Sequence, residues 1–272
     1  MLRLEQVVKR LPDGRQLLGG INLEVRRGEF IGILGASGAG KSLTLRCILA
    51  LTKLSEGTIR FQPSEDEAFD MGTVRGHRLR AARRQMGVVF QDFNLVERIS
   101  VLENVLIGRL GWIHPLRSWL YGFTDQEAGE ALAALSSVRM SEFADRQTAT
   151  LSRGEMQRVA LARAIFQRPA MLLVDEPISS VDPNNARIIL ERLSEIAGSA
   201  PVLGAFHQPE LTARYCTRVV GIRDGVVVYD GSPQLSTASL RDIYGGDHLF
   251  EPKRTPALVP ATGWPLGESS GA

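Results

Sequence analysis

The sequence predicts an α/β fold in which helices cover both faces of a parallel sheet. Its first sign is a strand–loop–helix unit, because the apolar run from Phe30 to Leu34 is followed by a glycine-rich loop and by helix formers at 41–51. A second apolar run, from Met171 to Val174, precedes a helical pattern at 186–196. Two further apolar runs continue the alternation, and they lie at 202–206 and 219–222.

The remaining segments fit around this sheet. Residues 2–34 are expected to be rich in strands, because Ile21, Leu23 and Val25 alternate with polar residues as in a half-buried strand. Asp224-Gly225 lies between two apolar runs and predicts a hairpin turn. A strand is also predicted at 86–90, and helices are predicted over much of 98–150 and over 152–166.

Composition excludes several classes of protein. The chain has 272 residues, of which 44% are hydrophobic and 23% charged, as in a globular domain rather than a disordered chain. The net charge of +2 argues against a nucleic-acid coat, and the arginine-rich run at 78–84 is expected to form a solvated or sheet-edge face. Cys47 and Cys216 cannot build a disulfide framework. No apolar run approaches the roughly 18 residues of a membrane span, and the start of the chain lacks a secretory pattern, so we expect neither.

Residues 35–42 match the phosphate-binding pattern G-x-x-x-x-G-K-[ST] at every required position. Glycines allow successive backbone N–H groups to turn towards an anion, and the following helix adds the positive end of its dipole. We therefore expect Lys41 to reach the β- and γ-phosphates of a nucleotide and the Ser42 hydroxyl to bind Mg²⁺. The predicted nucleotide-binding residues are Gly35, Ala36, Ser37, Gly38, Ala39, Gly40, Lys41, Ser42 and Leu43.

Two carboxylates, Asp175 and Glu176, end the apolar run that begins at Met171. Because ligands of α/β proteins bind at the carboxyl ends of the strands, both side chains are expected near the phosphates. Asp175 is predicted to hold Mg²⁺ through a water, and Glu176 is predicted to polarise the water that attacks the γ-phosphate.

Four further segments resemble motifs of the ATP-binding cassette (ABC) ATPases, in that family's order and at its usual separations. The run Leu151-Ser152-Arg153-Gly154-Glu155 resembles the signature motif, which is commonly Leu-Ser-Gly-Gly-Gln. Gln91 resembles the Q-loop glutamine, His207 the switch histidine, and Ser179-Ser180-Val181-Asp182 the D-loop. The resemblance covers about residues 2–245. Independently of it, the spacing of Ser152 and Glu155 is that of a capping box and predicts a helix start.

The resemblance implies a P-loop NTPase fold, with a RecA-like core, an antiparallel β subdomain and an inserted helical subdomain. It assigns residues 2–247 to the ATPase domain and about 92–158 of these to the helical subdomain; the proline-rich residues 248–272 are expected to form a flexible tail. Two copies would pack head to tail around two ATP molecules, with Asp182 at the interface. The signature residues of one copy, which would face the γ-phosphate bound by the other, are Ser152, Arg153, Gly154 and Glu155. The residues implied to be catalytic are Lys41, Gln91, Glu176 and His207, and those implied to hold Mg²⁺ are Ser42, Gln91 and Asp175.

Four positions depart from the family's pattern, and one of them, Leu43 where threonine is frequent, is expected to matter little. Arg153 replaces the first glycine of the signature motif, where a long cation could either attract the partner's triphosphate or obstruct its close approach. From the sequence alone we expect Arg153→Gly not to lower ATPase activity. Glu155 replaces the usual glutamine and still suits the capping role. Leu11 lies where many members carry an aromatic residue that stacks on adenine, so its contact with the base is expected to be apolar only.

The stretch from Asn104 to Phe123 is rich in Trp, Tyr and Arg, which suits either a protein interface or packing within the helical subdomain. With the segments at 90–96, 206–208, 229–231 and 243–245, it resembles the phosphonate importer ATPases. This resemblance implies ATP hydrolysis coupled to phosphonate import by a peripheral subunit at the cytoplasmic face of the inner membrane. Its partners would be a second copy, transmembrane permease subunits and, indirectly, a phosphonate-binding protein, but no nucleic acid. Importers of phosphite, hypophosphite or phosphate are alternatives, and a non-transport cytosolic ABC ATPase is a more distant one.

Overall fold

A computed structural model describes residues 1–112, 122–179 and 181–246 of the chain, and it confirms the predicted α/β class. The strands are β1 (Leu2–Arg10), β2 (Gln16–Val25), β3 (Phe30–Leu34), β4 (Glu56–Phe61), β5 (Phe69–Asp70), β6 (Met86–Val89), β7 (Met171–Asp175), β8 (Val202–Ala205), β9 (Arg218–Arg223) and β10 (Val226–Gly231). The helices are α1 (Lys41–Ile48), α2 (Gly76–Arg84), α3 (Val101–Leu106), α4 (Asp125–Ser137), α5 (Arg153–Phe166), α6 (Pro183–Ala197), α7 (Pro209–Tyr215) and α8 (Thr237–Tyr244).

The larger sheet contains the strands that the continuous apolar runs predict, in the order β10-β9-β3-β8-β7-β6. Its strands pair in parallel except at one edge, where β10 pairs antiparallel with β9. Every residue of β3 and of β7 is buried, and both strands are apolar except for Asp175 at the end of β7. Because the strands are parallel, the carboxyl ends of β3, β8, β7 and β6 lie together at one edge of the sheet.

The smaller sheet is antiparallel and has the order β2-β1-β4-β5. Ile21, Leu23 and Val25 of β2 are buried, as their alternation predicts. Five elements were not predicted from the sequence, because each is short and carries too few apolar residues to show a clear period: β4, β5, α2, α7 and α8. The arginine-rich run lies in α2 with Arg78 and Arg80 exposed, so the expectation of a solvated face is confirmed and its alternative, a sheet edge, is not.

Two hydrophobic cores flank the larger sheet, and alternate residues of β3 point into each. Ile31 and Ile33 join the core between the two sheets, which also contains the apolar residues of α1. Phe30 and Leu34 join the core on the opposite face, which contains residues of α3, α4, α5 and α6. The sheet is therefore covered on both faces, and the edge formed by the strand ends is left open for a site.

Helices α3, α4 and α5 pack against one another beside the sheet. Each begins with a capping box, at Ser100, Thr124 and Ser152 respectively. The subdomain limit expected near residue 158 falls inside α5. Within the described ranges, no helix has the length and apolar character of a membrane-crossing segment. Part of the aromatic stretch expected at an interface, 113–121, and the expected tail lie outside the described residues.

Candidate functional site

The phosphate loop leaves β3 and enters α1 through glycines with left-handed backbone angles. The angle φ is +155° at Gly35, +79° at Gly38 and +107° at Gly40. A Cβ on Gly35 would lie 2.2 Å from the carbonyl oxygen of Ile222, so only glycine fits against β9. This is the kind of backbone that allows consecutive N–H groups to face an anion.

Lys41, the first residue of α1, stabilises the phosphate loop by hydrogen bonds to its backbone. Its Nζ donates hydrogen bonds to the carbonyl oxygens of Gly35, at 2.8 Å, and Ala36, at 3.1 Å. Burial lowers the pKa of Lys41, and the nearby carboxylates of Glu176 and Asp175 act in the opposite direction. A buried ammonium group bound by neutral carbonyl oxygens gains much more from a phosphate anion, so Lys41 is well placed to bind one.

Ser42 and Asp175 meet where α1 approaches the end of β7. The Ser42 Oγ donates to Asp175 Oδ1 at 2.7 Å. Asp175 is only 6% exposed, and burial raises the pKa of its carboxyl group while the hydrogen bond from Ser42 opposes that shift. Hydroxyl and carboxylate oxygens are ligands that Mg²⁺ prefers, and a cation would offset the cost of burying a carboxylate. The donor set of Ser42 and Asp175 therefore fits a magnesium site.

Glu176 and His207 form a contact between neighbouring strand ends. Glu176 follows β7 with a φ of +52°, a left-handed conformation that costs a non-glycine residue about 1–3 kcal/mol. Its N–H donates to the carbonyl oxygen of Ala205, the last residue of β8, at 3.1 Å. The His207 Nε2 lies 2.5 Å from Glu176 Oε1. A carboxylate fixed by both its backbone and a histidine is well placed to accept a proton from water.

Lys41, Ser42, Glu176 and His207 line one cavity of about 650 Å³, a size that suits a small-molecule ligand. Asp175 is not part of its lining and is connected to the cavity through Ser42. Gln91, which follows β6 after one intervening residue, is also part of its wall. The structure thus brings together the predicted phosphate loop, Gln91, Glu176 and His207. The complete lining is Gln16, Leu17, Ser37, Gly38, Ala39, Gly40, Lys41, Ser42, Leu43, Gln91, Glu176, His207, Asp224 and Gly225.

The hairpin turn between β9 and β10 forms a wall of the cavity that was not predicted from the sequence. Asp224 and Gly225 have φ angles of +51° and +75°, as expected for the predicted turn. The Gly225 N–H donates to the carbonyl oxygen of Ala39 at 3.1 Å, and the Gly225 carbonyl oxygen accepts from the N–H of Gly19 at 2.8 Å. The turn therefore connects the phosphate loop to β2, whose first two residues also line the cavity. The turn itself has a local sequence signal, but its contact with the phosphate loop does not.

Leu11 is not part of the cavity lining. It lies half-buried in the turn between β1 and β2, where its N–H donates to the carbonyl oxygen of Arg15 at 2.9 Å. Its contact with adenine stays a prediction.

The signature segment lies at the start of α5, outside the cavity lining. The Ser152 Oγ accepts from the Glu155 N–H at 3.4 Å, and Glu155 Oε2 accepts from the Ser152 N–H at 2.7 Å, which confirms the predicted capping box. Hydrogen bonding from Ser152 lowers the pKa of Glu155, so its carboxylate stays ionised. Ser152 and Arg153 are exposed and Gly154 is buried. This helix start therefore faces solvent rather than the cavity of its own chain.

Asp182 and Gly154 both contact Asn185. The Asp182 carboxylate caps α6 by accepting from the N–H groups of Asn184 and Asn185, at 3.0 and 3.1 Å, and from the Asn185 amide at 2.5 Å. A Cβ on Gly154 would lie 3.0 Å from the same amide nitrogen. The starts of α5 and α6 therefore lie in close contact within one chain.

Comparison with known proteins places this site in a wider context. Residues 18–179 match the family described as ABC transporter. The phosphonates import ATP-binding protein PhnC of Bordetella parapertussis is 42% identical over 253 residues, which are 92% of this chain and 98% of that relative. The PhnC of Mesoplasma florum is 36% identical over 248 residues, which are 90% of this chain and 100% of that relative.

Solved structures resemble the chain over a similar extent. A dimeric bacterial ABC transporter cassette, MJ0796, superimposes with a TM-score of 0.75 and 29% identity, over 87% of this chain and 100% of that chain. A post-hydrolysis dimer of MJ0796 bound to ADP and Pi gives a TM-score of 0.74 and 28% identity, with the same coverage of 87% and 100%.

Proposed function

Because the chain belongs to the ABC transporter family, we propose that it is the ATP-hydrolysing subunit of an importer that takes up phosphonates. As a member of this family the chain binds ATP and is an ATPase. The observation that carries the proposal is the arrangement of Lys41, Ser42, Glu176 and His207 around one cavity, with Asp175 bonded to Ser42. The relatives named for phosphonate import supply the class of cargo.

In this proposal Lys41 and the N–H groups at the start of α1 bind the β- and γ-phosphates. They stabilise the negative charge that moves onto ADP as it leaves. Glu176 accepts a proton from a water molecule while the water oxygen bonds to the γ-phosphorus and the bond to the bridging oxygen breaks. His207 holds the Glu176 carboxylate through the contact at 2.5 Å and keeps it directed at the water.

Ser42, Asp175 and Gln91 are the proposed holders of Mg²⁺. When bound, this ion neutralises charge on the phosphate oxygens and helps to orient them. Asp175 orients the Ser42 hydroxyl through the hydrogen bond at 2.7 Å. The chain thereby supplies a few protein oxygens and leaves room for phosphate and water ligands, as Mg²⁺ sites commonly do.

A second copy of the chain completes each site in this proposal. The exposed Ser152 at the positive end of α5 suits a γ-phosphate that is bound by another chain. Asp182, which caps the neighbouring helix α6, would then lie at the interface. The dimeric form of a solved cassette supports the pairing of two chains. In this proposal the pair is head to tail and encloses two ATP molecules.

The same proposal gives the chain a place in a larger complex. Its relatives are named as import ATP-binding proteins, and import requires a path through a membrane. We therefore assign the chain to the cytoplasmic face of the inner membrane, bound to transmembrane permease subunits by the helical subdomain at about 92–158. A separate phosphonate-binding protein would deliver the cargo.

Reconstitution of the chain with its permease and binding protein in liposomes tests this function. We expect ATP hydrolysis and uptake of a radiolabelled alkylphosphonate to rise together when the binding protein is loaded, and both to be lost with Lys41→Ala. Stimulation by phosphite, hypophosphite or phosphate in place of the alkylphosphonate would change the assigned cargo. Steady hydrolysis without a response to any loaded binding protein would instead favour a non-transport ATPase.

A further inference from the structure

Arg153 occupies an unfavourable position for a cation. It is the first residue of α5, where the positive end of the helix dipole disfavours positive charge. Across the described residues its guanidinium forms no ion pair. Its Cζ instead lies 5.4 Å from the centre of the Phe93 ring, within the range of a cation–π contact. Within its own chain, the contact with Phe93 is therefore the interaction that stabilises the Arg153 guanidinium at this position.

Phe93 is itself held in a strained conformation. Its φ is +59°, which is a genuine outlier for a bulky residue, and the next residue, Asn94, has a φ of +49°. Phe93 is only 6% exposed and belongs to the core shared with α5. A second arginine of α5, Arg163, donates to the carbonyl oxygens of Phe93, at 2.7 Å, and Asn94, at 2.6 Å. Helix α5 therefore contacts this segment twice, through the Phe93 ring and through the backbone carbonyl groups, and these contacts maintain the strained conformation.

The segment that α5 contacts is continuous with the turn at residues 90–93, which places Gln91 at the cavity. The Phe93 N–H donates to the carbonyl oxygen of Phe90 at 3.0 Å, and this bond closes a turn around Gln91 and Asp92. Because Phe93 closes the turn, a shift of its ring or backbone moves Gln91 relative to the phosphate loop.

We propose that Arg153 is a positioning residue for Gln91 and that it acts through Phe93. The inference rests on the proposed function, because it assigns Gln91 to the ATP and magnesium site. In this inference Arg153 has a role within its own chain. It connects the start of α5, which is proposed to face the partner's ATP, to Gln91, which is proposed to face the chain's own ATP. The inference also reverses the expectation from the sequence for Arg153→Gly, which should now lower turnover.

A set of variants of the full-length chain tests the contact through kcat and KM for ATP and for Mg²⁺. We expect Arg153→Met and Phe93→Leu each to lower kcat by about two- to fivefold, the factor that corresponds to one cation–π contact at an exposed position. The double variant should be no slower than the slower single variant, because both changes break the same contact. Arg153→Lys and Phe93→Tyr should retain most of the wild-type kcat, since a cation and an aromatic ring remain.

The Gln91→Ala background separates a positioning role from a structural one. If Arg153 acts through Gln91, then Arg153→Met and Phe93→Leu should cause no further loss of kcat in that background. Arg214→Met is a matched control, because Arg214 lies at the same distance of 5.4 Å from the ring of Tyr215 but far along the chain from the Gln91 turn. We expect it to leave kcat unchanged.

Two results would overturn the inference. If Arg153→Met slows the enzyme while Phe93→Leu, verified as folded by thermal denaturation, does not, then Arg153 acts on the partner's triphosphate instead. If both slow the Gln91→Ala enzyme as strongly as the wild type, then the contact is merely structural. In either case wild-type hydrolysis that depends on Lys41 keeps the proposed function intact, whereas its absence would remove that function.

Discussion

The starts of α1 and α5 differ in what pairs with their free backbone N–H groups. The N-cap residue of α1 is Gly40, which offers no side-chain cap, and the first turn of this helix has no acidic residue. The N-cap residue of α5 is Ser152, which forms a complete capping box with Glu155 in the first turn. The first helix leaves its N–H groups for an anion, whereas the second partly satisfies its own. From this difference we predict that, in the proposed dimer, α1 supplies the main phosphate site and α5 adds a weaker contribution from an exposed surface.

Lys41→Ala should cause the largest loss, because it removes the buried cation at the start of α1. We expect kcat/KM for ATP to fall by about a hundred- to a thousandfold, as for other lost charge-stabilising donors. Steady-state phosphate release measures this, with the exposed Lys53→Ala as a control for charge alone. If Lys41→Ala hydrolysed ATP normally, α1 would not be the main phosphate site.

Glu176→Gln should separate ATP binding, which involves the starts of α1 and α5, from ATP hydrolysis. Glutamine keeps the shape of the side chain but cannot take a proton from water, so turnover should fall by about a hundred- to a thousandfold while ATP affinity is retained. ATP should then hold the chain as a dimer, measured by light scattering, with the partner's α5 closed on the phosphate. Glu191→Gln on the exposed face of α6 is the control, and it should neither slow turnover nor trap a dimer. Near-normal turnover of Glu176→Gln would exclude it as the base.

His207→Ala tests how much the contact with Glu176 adds at the main site. We expect binding of ATP to persist and kcat to fall by about ten- to a hundredfold, because the carboxylate loses one of its two restraints. Fluorescent-nucleotide binding and phosphate release measure the two effects separately. Equal loss of binding and turnover would show that His207 holds the nucleotide rather than Glu176.

Ser152→Ala should have a smaller effect and tests the α5 side of the comparison directly. Loss of the cap should lower the free energy of unfolding by about 0.5–2 kcal/mol. Ser100→Ala removes the matching capping box of α3 and should cost a similar amount. Only Ser152→Ala should also lower kcat, by about tenfold, because only this hydroxyl is proposed to face the partner's phosphate. Equal ATPase activity of the two variants would contradict a role for α5 in the site.

For the ligand-free chain, Asp175→Asn should have the smallest of these effects, which is a gain in thermal stability. Burial raises the pKa of Asp175, so the carboxyl group favours folding only at low pH, and this contribution is lost as the pH rises through the raised pKa. At neutral pH the ionised group therefore destabilises the ligand-free chain, and asparagine, which can still accept from Ser42, should raise Tm. The gain should shrink under acidic conditions, and the exposed Asp66→Asn should show none. An unchanged or lower Tm at neutral pH would mean that α1 and β7 do not bury a costly charge.

The parts of the site that could be predicted from the sequence are those built by contiguous residues. The phosphate loop is one such part, because eight consecutive residues carry both the glycines and the cation. The capped start of α5 is another, since Ser152 and Glu155 belong to the same helical turn. Neither depends on which strands become neighbours.

The contacts that could not be predicted join residues far apart in the chain. The hairpin at Asp224 was predicted as a turn, but its position against the phosphate loop depends on β9 pairing with β3. The contact between Arg153 and Phe93 depends on how α5 packs beside the segment that follows β6. Such packing depends on the whole core, and no local pattern encodes it.

The sequence by itself determined the α/β class, the phosphate loop and the residues that follow the buried strands, because backbone preference and apolar periodicity act over a few residues. Only the tertiary structure decided that Glu176 meets His207, which is 31 residues away in the chain. The reason is the strand order β3-β8-β7, which makes β8 the neighbour of both the phosphate loop strand and the strand that carries the carboxylates. This strand order is favoured because it buries both faces of the sheet. The order in turn determines which side chains meet at the ends of the strands.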